Sequence, residues 1–164
     1  MPDQEQKPLR VPILLWRRLI GELRKRGQGR RESGAFLLGT RGKKRDSVKT
    51  FIAYDDLDKT ALDTGIIVMK PAGMMKLWLE CKRLKMQVLA DVHSHPTEWT
   101  DQSDSDRNHP MISQCGHIAL IVPNYAKGSK WRLTGVGVFE YQGDFRWKPL
   151  RTAKGVERFG RSLW

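Results

Sequence analysis

Residues 87–96 read QVLADVHSHP. The run 87–93 predicts a strand. Along a strand, residues i and i+2 project from the same face. His93 and His95 can therefore aim two imidazoles at one point, as a zinc ion requires. Pro96 has no N–H to continue a central strand, so the chain must turn just after the second histidine. A loop over 96–102 follows, and residues 103–108 open a short helix before Pro110. Asp106 stands at the start of that helix, where its carboxylate can supply a third ligand. Three protein ligands leave the fourth tetrahedral position to water, which is the catalytic arrangement. Ser103, three residues before Asp106, lies on the same side of the helical turn.

Chemistry of this kind also needs a base that is not a ligand. Glu32 is the candidate, in Arg31-Glu32-Ser33-Gly34, where a helix gives way to the apolar run 33–40. A lone acid entering an apolar strand is costly unless it has a partner, and water on a metal would be one. The plainer reading of Glu32 is an ion pair with Arg30 or Arg31. Asp106 alone reads as a first-turn acid favoured by the helix dipole, and Ser103 as an N-cap. Both readings are compatible with the functional ones. His109 and His117 read as structural, His109 with a place behind the ligands. Cys115 reads as a small buried residue and not as a nucleophile.

Outward from this centre, Pro12 suits the first turn of a helix. Leu14, Leu15, Leu19 and Leu23 recur at helical spacing before Gly27 and Gly29 end it. Residues 33–40 predict a buried strand, 41–45 a basic turn, 48–54 a second strand, 55–64 an acidic loop and 65–69 a short β-branched strand. Residues 71–85 predict an amphipathic helix with Met74, Leu77, Trp78, Cys81 and Leu84 on one stripe. Residues 117–122 (HIALIV) are an unbroken apolar strand. Residues 133–141 form another, and 145–147 pair with it across a Gln-Gly-Asp turn. Residues 148–164 are charged and without period, and read as a tail. The order predicts an α/β fold, a mixed β-sheet flanked by helices.

At 164 residues the chain is one domain. Its composition, 39% hydrophobic with six tryptophans, excludes wholesale disorder. No apolar run approaches the roughly 20 residues of a membrane span, and the first residues lack a signal-peptide core. Two cysteines make no disulfide framework. The expectation is a cytoplasmic, reduced protein. Thirty Lys+Arg against 18 Asp+Glu give a net charge of +12, which first points to nucleic acid. The excess lies on the flanks, however. Residues 1–50 are net +9, residues 51–110 are net −3 and residues 111–164 are net +6. No helix-turn-helix, zinc-finger or RNA-recognition signature accompanies the charge. It reads as a docking feature for an acidic partner.

Glu32, then His93-Ser94-His95-Pro96, then Ser103 and Asp106 at these spacings resemble the JAMM signature of the JAB/MPN zinc metallopeptidases. That family includes eukaryotic deubiquitinases and their prokaryotic relatives. The resemblance runs from Val11 to Trp147. It implies a JAB/MPN-like domain over 11–147, with 1–10 and 148–164 as terminal extensions. It implies one Zn2+ per chain on His93, His95 and Asp106. Glu32 would take a proton from the zinc-bound water and return it to the leaving amine, and Ser103 would help stabilise the oxyanion. The implied reaction is hydrolysis of the bond after the C-terminus of a ubiquitin-like protein, in a conjugate or in a precursor. The implied setting is a bacterial conjugation system, some of which serve antiviral defence. The partners are then the ubiquitin-like protein and its conjugates, with no specific nucleic acid and no membrane. Two other readings are a catalytically silent MPN scaffold, disfavoured by the complete motif, and a basic nucleic-acid-associated protein, disfavoured by where the charge sits. Residues 55–70 could serve as one of the two insertions with which eukaryotic members grip ubiquitin. The loop 124–130 is short for the second.

Overall fold

The segment Gly34–Thr40 (β2) has no polar side to offer water, and six of its seven residues are buried. It pairs antiparallel with Asp46–Ala53 (β3) on one edge and with Gln87–Ser94 (β4) on the other. A strand covered on all sides reads as a continuous apolar run, as this one does. The computed structural model describes residues 7–128, 130, 132–151 and the backbone of 156–159. The remaining strands are Leu9–Pro12 (β1), Ile118–Val122 (β5), Gly137–Gly143 (β6), Arg146–Pro149 (β7) and Val156–Phe159 (β8). All eight form one sheet in the order β7-β6-β5-β4-β2-β3-β1-β8. The pairs β4–β5, β1–β3 and β1–β8 are parallel and the others antiparallel. The α/β reading, a mixed sheet with helices on its faces, therefore holds.

The two faces carry separate cores. Ala35 and Leu37 face Ile13–Gly27 (α1) and meet Trp16, Leu19, Ile20 and Leu23. Phe36 and Leu38 face the opposite way, towards Tyr54–Leu57 (α2) and Pro71–Leu84 (α3), and meet Tyr54, Leu57, Leu77 and Cys81. The β2–β4 register slips between Leu37, opposite Ala90, and Leu38, opposite Val88. Leu89 is the extra residue of this bulge, and it joins the α1 core while Val88 joins the other. Beyond the bulge, Ala90 and Val92 face α1. Asp91 and His93 therefore face the α2–α3 side.

Several expectations are corrected. Pro12 closes β1 and stands as the N-cap of α1, so the helix starts one residue later. Its buried stripe runs through Trp16, whose indole removes the larger apolar area, and Leu14 is 69% exposed. Residues 65–69 form no strand. They are looped back by Val68 N–H donating to Ala61 O. The expected loop 55–64 begins inside α2. The strand expected over 133–141 starts only at Gly137, after a left-handed turn at Gly135. Trp78 and Cys115 are exposed. The two ends also depart from simple extensions: β1 starts at Leu9, and Val156–Phe159 adds to it in parallel. The rest of the expected extensions, residues 1–6, 152–155 and 160–164, lies outside the described residues.

Gly34 pairs with His93 at the point where β2 enters the sheet. A Cβ there would press on the Tyr54 ring and stand 2.6 Å from the Val92 carbonyl oxygen. Backbone on a neighbouring strand cannot give way cheaply, so Gly34→Ala is expected to cost about 2–4 kcal/mol. Denaturant unfolding measures it, and a change below about 0.5 kcal/mol would contradict the packing described.

Candidate metal centre

The end of β4 is held from three directions. Ser94 N–H donates to Ser33 O at 2.9 Å, and Ser33 N–H donates to Ser94 Oγ at 3.1 Å. Ser33 Oγ in turn donates to Leu23 O in α1 at 2.7 Å. These bonds fix the residue after Glu32 against the residue between the two histidines. His95 N–H donates to Val122 O, and Tyr125 N–H donates to His95 O, both at 2.8 Å. The turn supplying Tyr125 runs through Asn124, Tyr125 and Ala126 with φ of 54°, 49° and 60°. Left-handed backbone at non-glycine residues costs about 1–2 kcal/mol each, so something must hold it. Arg24 does, donating to Ala126 O at 3.0 Å and Gly128 O at 2.8 Å.

The third side chain arrives on Asp104–Asn108 (α4), whose N-cap is Ser103. Ser103 Oγ accepts from Asp106 N–H at 3.1 Å, while Ser103 N–H and Oγ donate to Asp106 Oδ2 at 2.8 and 2.7 Å. This capping box fixes the carboxylate as it fixes the helix. Ser103→Ala is expected to cost about 1 kcal/mol of stability and roughly 10- to 100-fold in metal affinity. Competition with a chromogenic chelator reads the second effect, and an unchanged affinity would show that the serine only caps.

His93 Nε2 and His95 Nε2 are 3.1 Å apart; His93 Nε2 is 3.2 Å from Asp106 Oδ1, and His95 Nε2 is 3.2 Å from Asp106 Oδ2. A tetrahedral zinc ion with bonds of 2.0–2.1 Å holds its ligands about 3.3 Å apart. The two imidazole nitrogens are about that far apart, the carboxylate turns one oxygen towards each of them, and the three ligand atoms lie within 4.8 Å of one another. The chemistry fits as well. His95 Nδ1 lies 3.1 Å from Trp99 O, and a carbonyl only accepts, so that nitrogen carries the hydrogen. In the neutral ring, Nε2 then turns a lone pair towards the carboxylate and towards the other imidazole. Such an arrangement repels itself unless a proton or a cation sits between the three groups. The three residues form a group able to hold a metal ion.

Titration follows the same pattern. Burial works to raise the Asp106 carboxyl, but hydrogen bonds with His93, His95 and Ser103 outweigh it and hold the group far below the ordinary carboxylate range. Burial opposes charge on His93, yet the hydrogen bond and charge of Asp106, with Asp91 and Glu32 behind, raise its pKa. A proton on His93 competes with a metal. Zinc affinity is thus expected to be full at alkaline pH and to decline as pH falls through a value above the usual 6.5 or so. Chelator competition across pH 5–9 checks this, and an affinity independent of pH would exclude His93 as a ligand.

Glu32, His93, Ser103 and Asp106 line one cavity of about 310 Å³. Burial raises the Glu32 carboxyl above its ordinary value, with His93 and His95 pulling the other way. Arg31 reaches the Arg26 carbonyl and Asp63. Arg26 pairs with Glu22, Asp55 and Asp56, so part of the basic charge of α1 is used within the fold. His109 is exposed at the cavity, its Nδ1 donating to Ser105 O at 3.2 Å. His117 is buried, 2.6 Å from Asp91 Oδ1. Asp91 Oδ2 also accepts from Tyr54 Oη at 3.2 Å. The Tyr54–Asp91–His117 network under the cavity escaped the sequence reading. Its one signal was Asp91 at the i−2 position from His93, on the same face of β4.

No family model matches the chain. Among solved structures it is similar to a protein from Desulfitobacterium hafniense known from its solution structure. The identity is 13%, over 93% of this chain and 94% of that one, with a TM-score of 0.66. It is also similar to a protein from Salinibacter ruber at 14% identity, over 87% of this chain and 88% of that one, with a TM-score of 0.57. At such identities the likeness is one of fold. No helix among the described residues is long and apolar enough to cross a membrane.

Proposed function

We propose that this chain is a zinc metallopeptidase of the JAB/MPN kind that hydrolyses the bond following the C-terminus of a ubiquitin-like modifier. The observation that carries the reading is the convergence of His93, His95 and Asp106, whose ligand atoms lie within 4.8 Å of one another, at a cavity that Glu32 and Ser103 also line. The mixed sheet flanked by helices is consistent with it. The JAB/MPN assignment itself rests on the motif Glu32, His93-Ser94-His95-Pro96, Ser103, Asp106.

Zinc bound there supplies Lewis acidity and eases the ionisation of water. The protein does the rest. Glu32 accepts a proton from the attacking water at its half-buried carboxylate and delivers it to the leaving nitrogen. Burial keeps that carboxylate a better base than an exposed one. Asp106 stays ionised under its three hydrogen-bond partners. Trp99 O holds His95 in one tautomer. Ser103 keeps Asp106 in place, and its hydroxyl must turn from Asp106 Oδ2 before it can donate to a developing oxyanion.

The test is incubation of the zinc-loaded protein with modifier–peptide fusions and modifier–lysine conjugates, followed by intact mass. Release of the modifier ending at its own C-terminus is the expected result. Intact substrates throughout, with zinc bound at full stoichiometry, would count against the substrate class.

A further inference from the structure

The cavity lining also includes apolar side chains from separate parts of the chain. Trp147 on β7 supplies one part of this wall. Its indole Nε1–H donates to Arg107 O at 3.3 Å, and its ring meets Tyr141 edge-on at 4.9 Å. The wall is therefore tied to α4 one residue past Asp106, at a set offset from the metal ligands. Ile66 and Ile67 form part of the lining from a separate loop, after the left-handed turn at Gly65. Met111 adds a flexible, polarisable thioether. Ile66 remains 57% exposed, so apolar area is left for a ligand to cover. The charge is one-sided. Glu32, Asp91 and Asp106 line the cavity and, among the described residues, no lysine or arginine does, in a chain of net charge +12.

We propose that this apolar part of the cavity lining is a specificity subsite for a large, uncharged apolar or aromatic side chain on a substrate residue flanking the scissile bond, and that it rejects acidic side chains. The inference rests on the metallopeptidase reading and narrows its substrates. A glycine at that position leaves Trp147 and Ile66 facing water. A leucine or phenylalanine covers them. An aspartate or glutamate meets the free carboxylate of Glu32 and finds no lysine or arginine among the described lining residues, while the bound zinc is already offset by Asp106, and Asp91 is held by His117 and Tyr54.

Two series of peptide hydroxamates test this by calorimetry on the zinc-loaded protein, without turnover. One series carries the variable side chain on the acyl side of the chelating group and the other on the amine side. In one series, phenylalanine and leucine are expected to bind about 10- to 100-fold tighter than glycine, with glutamate weakest. Ile66→Glu, at an exposed position that leaves the core intact, is expected to reduce the phenylalanine-to-glycine ratio about 10-fold. Ratios near one in both series, or tighter binding of glutamate or lysine than of phenylalanine, overturn the subsite. Zinc content measured on the same sample separates the two ideas. Full zinc with flat series removes the subsite alone, whereas failure to take up zinc removes the metallopeptidase reading and the subsite with it.

Discussion

Asp106→Asn is expected to leave the fold standing and the metal site empty. The exchange is isosteric, and α4 contributes no buried residue to either core, so the melting temperature should move by only a few degrees. The metal loses far more. An amide is a poor zinc ligand, and the positive charge loses its single carboxylate among three ligands. The asparagine oxygen keeps the two Ser103 bonds at the Oδ2 position, which places its N–H₂ at the Oδ1 position, where it can donate to His93 Nε2 without a cation. Zinc affinity and hydrolysis should each fall by at least about 10³-fold, since both the Lewis acid and the ionised water leave together. Elemental analysis reads the first and fusion cleavage the second. A variant that keeps a full equivalent of zinc would mean the ion sits elsewhere.

Glu32→Gln should separate holding the metal from using it. Glu32 lines the cavity but is not one of the three residues grouped to hold the metal, so zinc should remain at one equivalent. Turnover should fall by about 10²- to 10⁴-fold, the usual contribution of a positioned base. In the unaltered protein the base works only when deprotonated. Because burial raises its proton affinity, kcat measured with zinc kept saturating at every pH should decline towards acid from a point above the ordinary value near 4.3. That acid limb should vanish in the variant, whose residual rate has no carboxylate at position 32 to titrate. A loss of less than about threefold would place the base elsewhere.

The centre was legible because its geometry is local. A period of two puts His93 and His95 on one face, a proline ends the strand, and a serine three residues before an acid makes a capping box. Each follows from residues within a few positions of one another, and all of them meet in the structure. What failed to show was either non-local or hidden by composition. The parallel addition of Val156–Phe159 to Leu9–Pro12 joins opposite ends of the chain, and a short charged strand carries no period to announce it. The β-branched run 65–69 resembles a strand, but its backbone folds back on Ala61 instead of joining the sheet. Trp78 fits the helical stripe by spacing, yet Leu77 and Cys81 fill the face that α3 turns to the sheet, and the indole is left outside. Cys115 precedes a left-handed Gly116 in a surface turn, a conformation that residue type alone does not reveal. Tyr54, Asp91 and His117 come from α2, β4 and the residue before β5, so only the assembled sheet brings them together.

Zinc stoichiometry tests the central claim most directly. The purified protein would be stripped with a chelator, dialysed, reloaded with zinc at pH 8 and analysed by mass spectrometry under native conditions beside Asp106→Asn. One zinc per chain in the unaltered protein and none in the variant is the expected result. Folded, unaltered protein that takes up no zinc, or that binds it equally well without the Asp106 carboxylate, would contradict the assignment of His93, His95 and Asp106 as a metal centre.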